Sequence, residues 1–164
     1  MLTAKAKYCL KALACLATLE PGATMQGLEI AEEYNIPKKF LDVILGDLRR
    51  AGVVFSKKGP GGGYVLARAP SKIRIGQIIR MIDGPLAPLA CASRTAFKPC
   101  RDCRDVNTCT IRLAMTRVRD AMAEILDRMS VADLVSAHGG YAEIHHRTQF
   151  AKPSVLRRRN RNNY

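Results

Sequence analysis

The chain has 164 residues, 48% hydrophobic and 5% aromatic, enough for one ordinary core with an appended element. Lys and Arg number 27 against 14 Asp and Glu, a formal net charge of +13, which attracts phosphate backbones or anionic surfaces. No apolar run is long enough to cross a bilayer, and the N-terminal apolar positions, broken by Lys7 and Lys11, precede no convincing cleavage site. A membrane partner is therefore not expected, and the cytoplasm is the default compartment. In that reducing setting clustered cysteines more often bind metals or do redox chemistry than form structural disulfides.

The first periodic stretch, Thr3 to Leu19, places Tyr8, Leu10, Leu13, Ala14, Leu16 and Ala17 at helical spacing. Pro21-Gly22 stops it. Cys9 and Cys15 fall inside this helix and read as small core residues. A short helix follows from Met25 to Tyr34 and is broken by Asn35-Ile36-Pro37. A third helix runs from Lys38 to Ala51, with Phe40, Leu41, Ile44, Leu45 and Leu48 as its apolar stripe and Gly52 as its stop. Two helices joined by a tight turn, the second rich in basic residues, form a helix-turn-helix pattern.

Two β-prone runs come next, Val53-Val54-Phe55-Ser56 and Tyr64-Val65-Leu66-Ala67, joined by Lys57-Lys58-Gly59-Pro60-Gly61-Gly62-Gly63. The connection predicts a hairpin whose glycines allow close backbone approach to another surface. A phosphate-cradling loop is the rival reading. It fails because no Lys-Ser/Thr and no helix follow the glycines. A helix-turn-helix followed by a basic hairpin is a winged helix, in which the third helix enters the major groove and the wing reaches phosphates or the minor groove. The candidate DNA-binding residues are Lys38, Lys39, Asp42, Arg49, Arg50, Lys57, Lys58, Gly61 and Gly62.

A fourth helix is expected from Ser71, its N-cap, to Asp83, with Gly84-Pro85 as the stop. A long helix from Thr110 to Met129 carries Ile111, Ala114, Met115, Val118, Ala121, Met122, Ile125 and Met129 on one face. That stripe is too long for one small domain to cover, so part of it is expected to pack against a second copy. Val131 to Val135 reads as a short continuation. From about His145 a basic arm with Arg147, Lys152, Arg157, Arg158, Arg159 and Arg161 reads as disordered. The fold expected is mostly α with a small β-hairpin wing. Its parts are a winged helix-turn-helix over residues 1–84, a cysteine-rich loop over 85–109, a dimerisation helix over 110–137 and a basic tail over 138–164.

Between the fourth and the long helix lie four of the six cysteines: Cys91, Cys100, Cys103 and Cys109, spaced C-x8-C-x2-C-x5-C. Two intervening residues let Cys100 and Cys103 converge on one metal. The nearby Arg94, Lys98, Arg101 and Arg104 are expected to favour thiolates, the ligating form. Four thiolates suit a tetrahedral zinc, a [2Fe–2S] or a [4Fe–4S] cluster. Zinc usually takes two separated Cys-x2-Cys pairs, so the uneven spacing favours iron–sulfur. A thiol–disulfide pair is the remaining alternative. No nucleotide motif, catalytic triad or paired-carboxylate arrangement is present, and His138, His145 and His146 all fall late, so an enzyme is not expected.

The stretch Phe40-Leu41-Asp42-Val43-Ile44-Leu45-Gly46-Asp47-Leu48-Arg49-Arg50-Ala51-Gly52-Val53-Val54, then Lys58-Gly59-Pro60-Gly61-Gly62-Gly63-Tyr64-Val65-Leu66, resembles the IscR-type (IscR, NsrR, RirA) winged-helix regulators. The similarity continues through Ile78-Ile79-Arg80-Met81-Ile82-Asp83-Gly84 and the cysteine loop, covering roughly residues 1–135. The resemblance implies a homodimeric repressor on a palindromic operator, responsive to iron–sulfur status, nitric oxide or iron. By that analogy Lys39 and Asp42 sit at the groove end of the recognition helix, and Lys58 stands where relatives have a minor-groove Arg. Relatives typically offer three cysteines, the last two separated as Cys103 and Cys109 are. Their fourth ligand is a His where this chain has Arg112, or an acidic residue from the partner's first helix near the position of Tyr8. Neither carries over, so Cys100 is expected to complete an all-cysteine site.

Overall fold

The computed structural model describes residues 2–103 and 105–136. Helix α1 (Ala4–Ala17) is N-capped by the Thr3 hydroxyl, which accepts from the Ala6 amide at 3.2 Å. Helices α2 (Gly27–Glu33) and α3 (Lys38–Arg50) form the helix-turn-helix. Its turn is made by Asn35, whose φ of 49° lies in the left-handed region that Asn tolerates, and is anchored by buried Ile36. Leu41, Ile44, Leu45 and Leu48 of α3 are fully buried against Leu13, Cys9 and Ile30 in a single core. Each such Leu or Ile, cut to Ala, costs about 2–5 kcal/mol. Phe40 departs from the predicted stripe. It is half exposed and leans edge-on against Tyr8 of α1, with ring centroids 6.2 Å apart, because it lies on the flank of the helix rather than over the core.

Strands β1 (Val54–Lys57) and β2 (Gly63–Leu66) pair antiparallel with Val54 opposite Leu66 and Lys57 opposite Gly63. The hairpin is tied back to the segment before α2. Met25 and Tyr64 exchange backbone hydrogen bonds of 2.8 and 3.1 Å, and the Thr24 hydroxyl donates to the Gly61 carbonyl at 2.8 Å. That seam explains Gly63, where a Cβ would lie 2.5 Å from the Met25 carbonyl oxygen.

The fourth helix starts later than expected. Ser71 lies in a 3-10 turn, Pro70–Lys72, and α4 spans Ile75–Asp83. Tertiary hydrogen bonds override the local signal here. Ile73 and Arg74 are extended, and Ile75 N–H donates to Met129 O at 2.9 Å while Val131 N–H donates to Ile73 O at 3.0 Å. The long helix α5 (Thr110–Arg128) has no buried residue. Leu126 and Met129 touch the core, whereas Ile111 and Ile125 are 62% and 61% exposed, and Val118 and Met122 are exposed with them. Residues 131–136 are helical, capped by Ser130 and Asp133, whose carboxylate accepts from the Ser130 amide at 2.7 Å. The basic arm and the three histidines lie outside the described residues.

The loop between α4 and α5 is fastened to α5 by arginines. Arg112 Nε donates to Cys91 O at 2.9 Å and its Nη1 to Val106 O at 3.4 Å, so one side chain joins both halves of the loop. Arg119 donates to Ala92 O, and Arg94 pairs with Asp120 at 2.9 Å. Arg112→Ala is expected to reduce hydrogen-exchange protection of residues 90–98 and to lower stability by about 1–2 kcal/mol; unchanged protection would remove Arg112 as the brace. Gly63→Ala is expected to lower stability by about 1–3 kcal/mol in chemical denaturation, because backbone rather than a side chain must move.

Candidate nucleic-acid interface and thiolate centre

The basic residues of the helix-turn-helix and wing fall into two classes. Lys38 pairs with Asp42 one turn on, Arg50 pairs with Asp47, and Arg49 reaches the Ser56 hydroxyl at 3.4 Å. Among the described residues Lys39, Lys57 and Lys58 make no ion pair, and all three are exposed. Asp47 is held further by Lys5 of α1 at 2.7 Å, and these cations keep its carboxyl below the usual range, the Lys5 hydrogen bond most of all. Lys39 lies at the N-terminal end of α3, Lys57 ends β1 and Lys58 opens the wing tip. Gly61, at a φ of 72°, is exposed there, and Gly62 is half-buried. The arrangement presents a helix end and a hairpin tip as separate cationic points, the layout in which a helix tracks a groove and a wing touches the backbone.

The four loop cysteines come together as a chain of contacts. Cys91 sits in a 3-10 turn, Ala90–Ala92, and is buried; the other three are half-buried. The nearby Cys100 thiol raises the Cys91 pKa, helped by desolvation. Cys100 and Cys103 have their sulfurs within 4.8 Å of each other and of an Asp102 carboxylate oxygen. Cys103 and Cys109 have sulfurs 3.6 Å apart. Two thiolates on one tetrahedral metal, with bonds of about 2.3 Å, stand roughly 3.8 Å apart, so the Cys103–Cys109 spacing is that of a chelating pair. The donor set fits a thiolate-bound metal centre, and Cys91, Cys100, Cys103 and Cys109 would hold it.

Among the four thiols the shift toward the charged form falls on Cys109. Cys109 is the N-cap of α5, and the backbone N–H of Arg112 is the main cause of its lowered pKa, followed by the Cys103 thiol. Its neighbour Cys103 is pushed up to about 12, chiefly by its hydrogen bond to Cys109 and by desolvation. Arg94 is committed to Asp120, and Arg104 lies outside the described residues. The start of α5 therefore favours the charged form of Cys109. A cysteine immediately before a helical run was a signal for this that composition around the loop obscured. Neither alternative fourth-ligand position is available as a donor: Arg112 is the loop's brace, and Tyr8 packs on Phe40. Cys9 and Cys15 belong to the core, their thiols raised to about 12 and about 11 by burial.

The family described as Rrf2, iron-dependent transcriptional regulator, matches residues 2–137. A Rhodobacter capsulatus protein named as an HTH-type, rrf2-like transcriptional regulator is 43% identical over 147 residues, 88% of this chain and 98% of that one. The solved structure of CymR, described as the global cysteine regulator of B. subtilis, superposes with a TM-score of 0.69 at 31% identity, covering 84% of this chain and 97% of its own. T. potens IscR, at 24% identity and a TM-score of 0.64 over 93% of both chains, shares the fold. The winged helix and the family match together set this protein among regulators rather than enzymes. The chain belongs to the Rrf2 family of helix-turn-helix transcriptional regulators.

Proposed function

We propose that this regulator acts in the cytoplasm as a homodimeric repressor on a palindromic operator, and that an iron–sulfur cluster held by Cys91, Cys100, Cys103 and Cys109 sets its affinity for DNA. The observation that carries the reading is that Cys103 lies within reach of both Cys100 and Cys109 in one loop fastened to α5, with Cys91 at the loop's other end held by Arg112. When bound, a cluster supplies an oxygen- and nitric-oxide-sensitive tether across the loop. The chain's own residues supply the rest. Cys109 stands at the α5 N-terminus, which lowers its thiol pKa, and Arg112 and Arg119 hold the loop's early half on that helix.

The open face of α5 supports the dimer. Ile111, Val118 and Ile125 recur at seven-residue spacing, with exposed Ala114 and Ala121 between them. β-Branched residues in one heptad position and alanines in the next suit two closely approaching helices. For DNA, Lys39 and Asp42 stand at the groove end of α3, flanked by Lys38, Arg49 and Arg50, while Lys57, Lys58, Gly61 and Gly62 serve the phosphates and minor groove.

A second reading keeps the DNA binding and replaces the cluster with a thiol–disulfide switch or zinc. It is favoured by the 3.6 Å separation of Cys103 and Cys109 and by the likeness to CymR, described as the global cysteine regulator of B. subtilis.

Anaerobic purification with iron, sulfide and zinc analysis separates the two. A coloured protein containing iron and sulfide, bleached by oxygen or nitric oxide, is expected; a colourless protein with stoichiometric zinc contradicts the cluster. Cys100→Ser is expected to abolish iron retention and to bind operator as the cluster-free protein does. Lys39→Ala is expected to relax sequence preference. Lys57→Ala should weaken all sequences alike and reduce the salt slope of binding by about one unit.

A further inference from the structure

The exposed side of α3 carries two residues that ordinary packing does not explain. Positions 39, 43, 46 and 50 recur at i, i+4, i+7 and i+11, opposite the buried Leu41, Ile44, Leu45 and Leu48. Lys39 and Arg50 are the charged ends of that stripe, and between them stand Val43, 56% exposed, and Gly46. Val43 is β-branched and apolar at a solvent-facing helical site, where neither property favours the helix. Together with Lys5, Lys39 and Phe40 it lines a shallow apolar depression of about 310 Å³. Gly46 is stranger: mid-helix, it weakens α3, and a Cβ built there would meet nothing within 4 Å. Gly63 and Gly76, by contrast, are required by close contacts inside the protein. The space over Gly46 is open among the described residues.

The major groove offers one apolar group to such a surface, the C5-methyl of thymine. We infer that α3 reads thymine through Val43, whose isopropyl group packs on a thymine methyl, and that Gly46 marks the point where the helix backbone comes closest to the base edges. The inference rests on the reading that α3 enters the major groove. The charges fit it, since Lys39, which makes no ion pair among the described residues, borders the depression and can accompany the apolar contact with a phosphate contact, while Lys5 is held by Asp47. Arg50 is already shared with Asp47, which leaves Val43 as the stripe's central side chain.

The test selects a high-affinity duplex from a random library with the full-length protein. Thymines are then replaced by uracil one at a time, which removes only the methyl. For the unaltered protein, one or two uracils per half-site are expected to weaken binding about three- to fivefold, the effect of one buried methyl group. Val43→Ala should lose a similar factor on the thymine duplex and be indifferent to uracil at those positions, a non-additive cycle. Gly46→Ala should raise Tm by about 2–4 °C while weakening binding at least tenfold. Insensitivity to every uracil, with Lys39→Ala still impairing binding, overturns the thymine readout and leaves the groove assignment standing. If Lys39→Ala and Val43→Ala both leave affinity unchanged, the placement of α3 itself fails. A lower Tm for Gly46→Ala, or an altered oligomeric state for Val43→Ala, would assign the residue to the protein's own structure and overturn its role in readout.

Discussion

Arg80 on α4 grips Asp127 on α5 through both terminal guanidinium nitrogens, at 2.5 and 2.9 Å, directly beside Gly76. A Cβ on Gly76 would run into the Asp127 carboxylate, so the glycine leaves room for this ion pair. The same junction is tied by the backbone bonds of Ile73 and Ile75 to Val131 and Met129, and by Arg74 donating to Arg128 O at 2.7 Å. The ion pair is half exposed and by itself worth about 1 kcal/mol or less. Its value is geometric. Helix α5 buries nothing of its own, and this junction and the arginine-braced loop fix it relative to the winged helix.

A physical route from the cysteines to α3 follows from that placement. The cysteine loop leaves α4 immediately after Asp83, and Asp83 accepts hydrogen bonds from the Thr3 amide, at 2.9 Å, and the Thr3 hydroxyl. Thr3 also caps α1, and one residue into that helix Lys5 pairs with Asp47 of α3. Displacing the end of α4 would thus pull on the start of α1, and α1 lies against α3 through Lys5–Asp47 and Tyr8–Phe40. Such a chain is spatial continuity, which becomes a coupling only if its members have two arrangements that each ligand favours differently.

Much of this was legible in the residues. Turn chemistry placed Asn35 and Pro37 between α2 and α3, and the Gly-Pro-Gly-Gly-Gly run marked the wing, because these positions are governed by local backbone sterics. The late start of α4 was not legible, since Ser71 is a sound local cap and only the distant 129–131 segment makes extension of Ile73 more favourable. Phe40 was misplaced because an aromatic at i−4 to a buried Ile looks like core, although the helix turns it toward α1. In the loop, the cysteine spacing gave the candidate ligands, but the brace by Arg112 and the helix-end effect on Cys109 depend on how the loop folds over α5. Periodicity likewise found the long apolar stripe of α5 without saying which half of it the monomer uses.

Linkage requires that whatever the loop does to DNA affinity, DNA does to the loop in equal measure. The most direct measurement is therefore the equilibrium affinity of the protein for the proposed metal centre, determined by competition with a chelator, for free and operator-bound protein. If the loop and α3 are coupled, the two values differ by the same factor by which the metal centre changes operator affinity, about 5- to 150-fold for an ordinary allosteric protein. Equal values would contradict the coupling, even for a protein that binds both the metal centre and DNA.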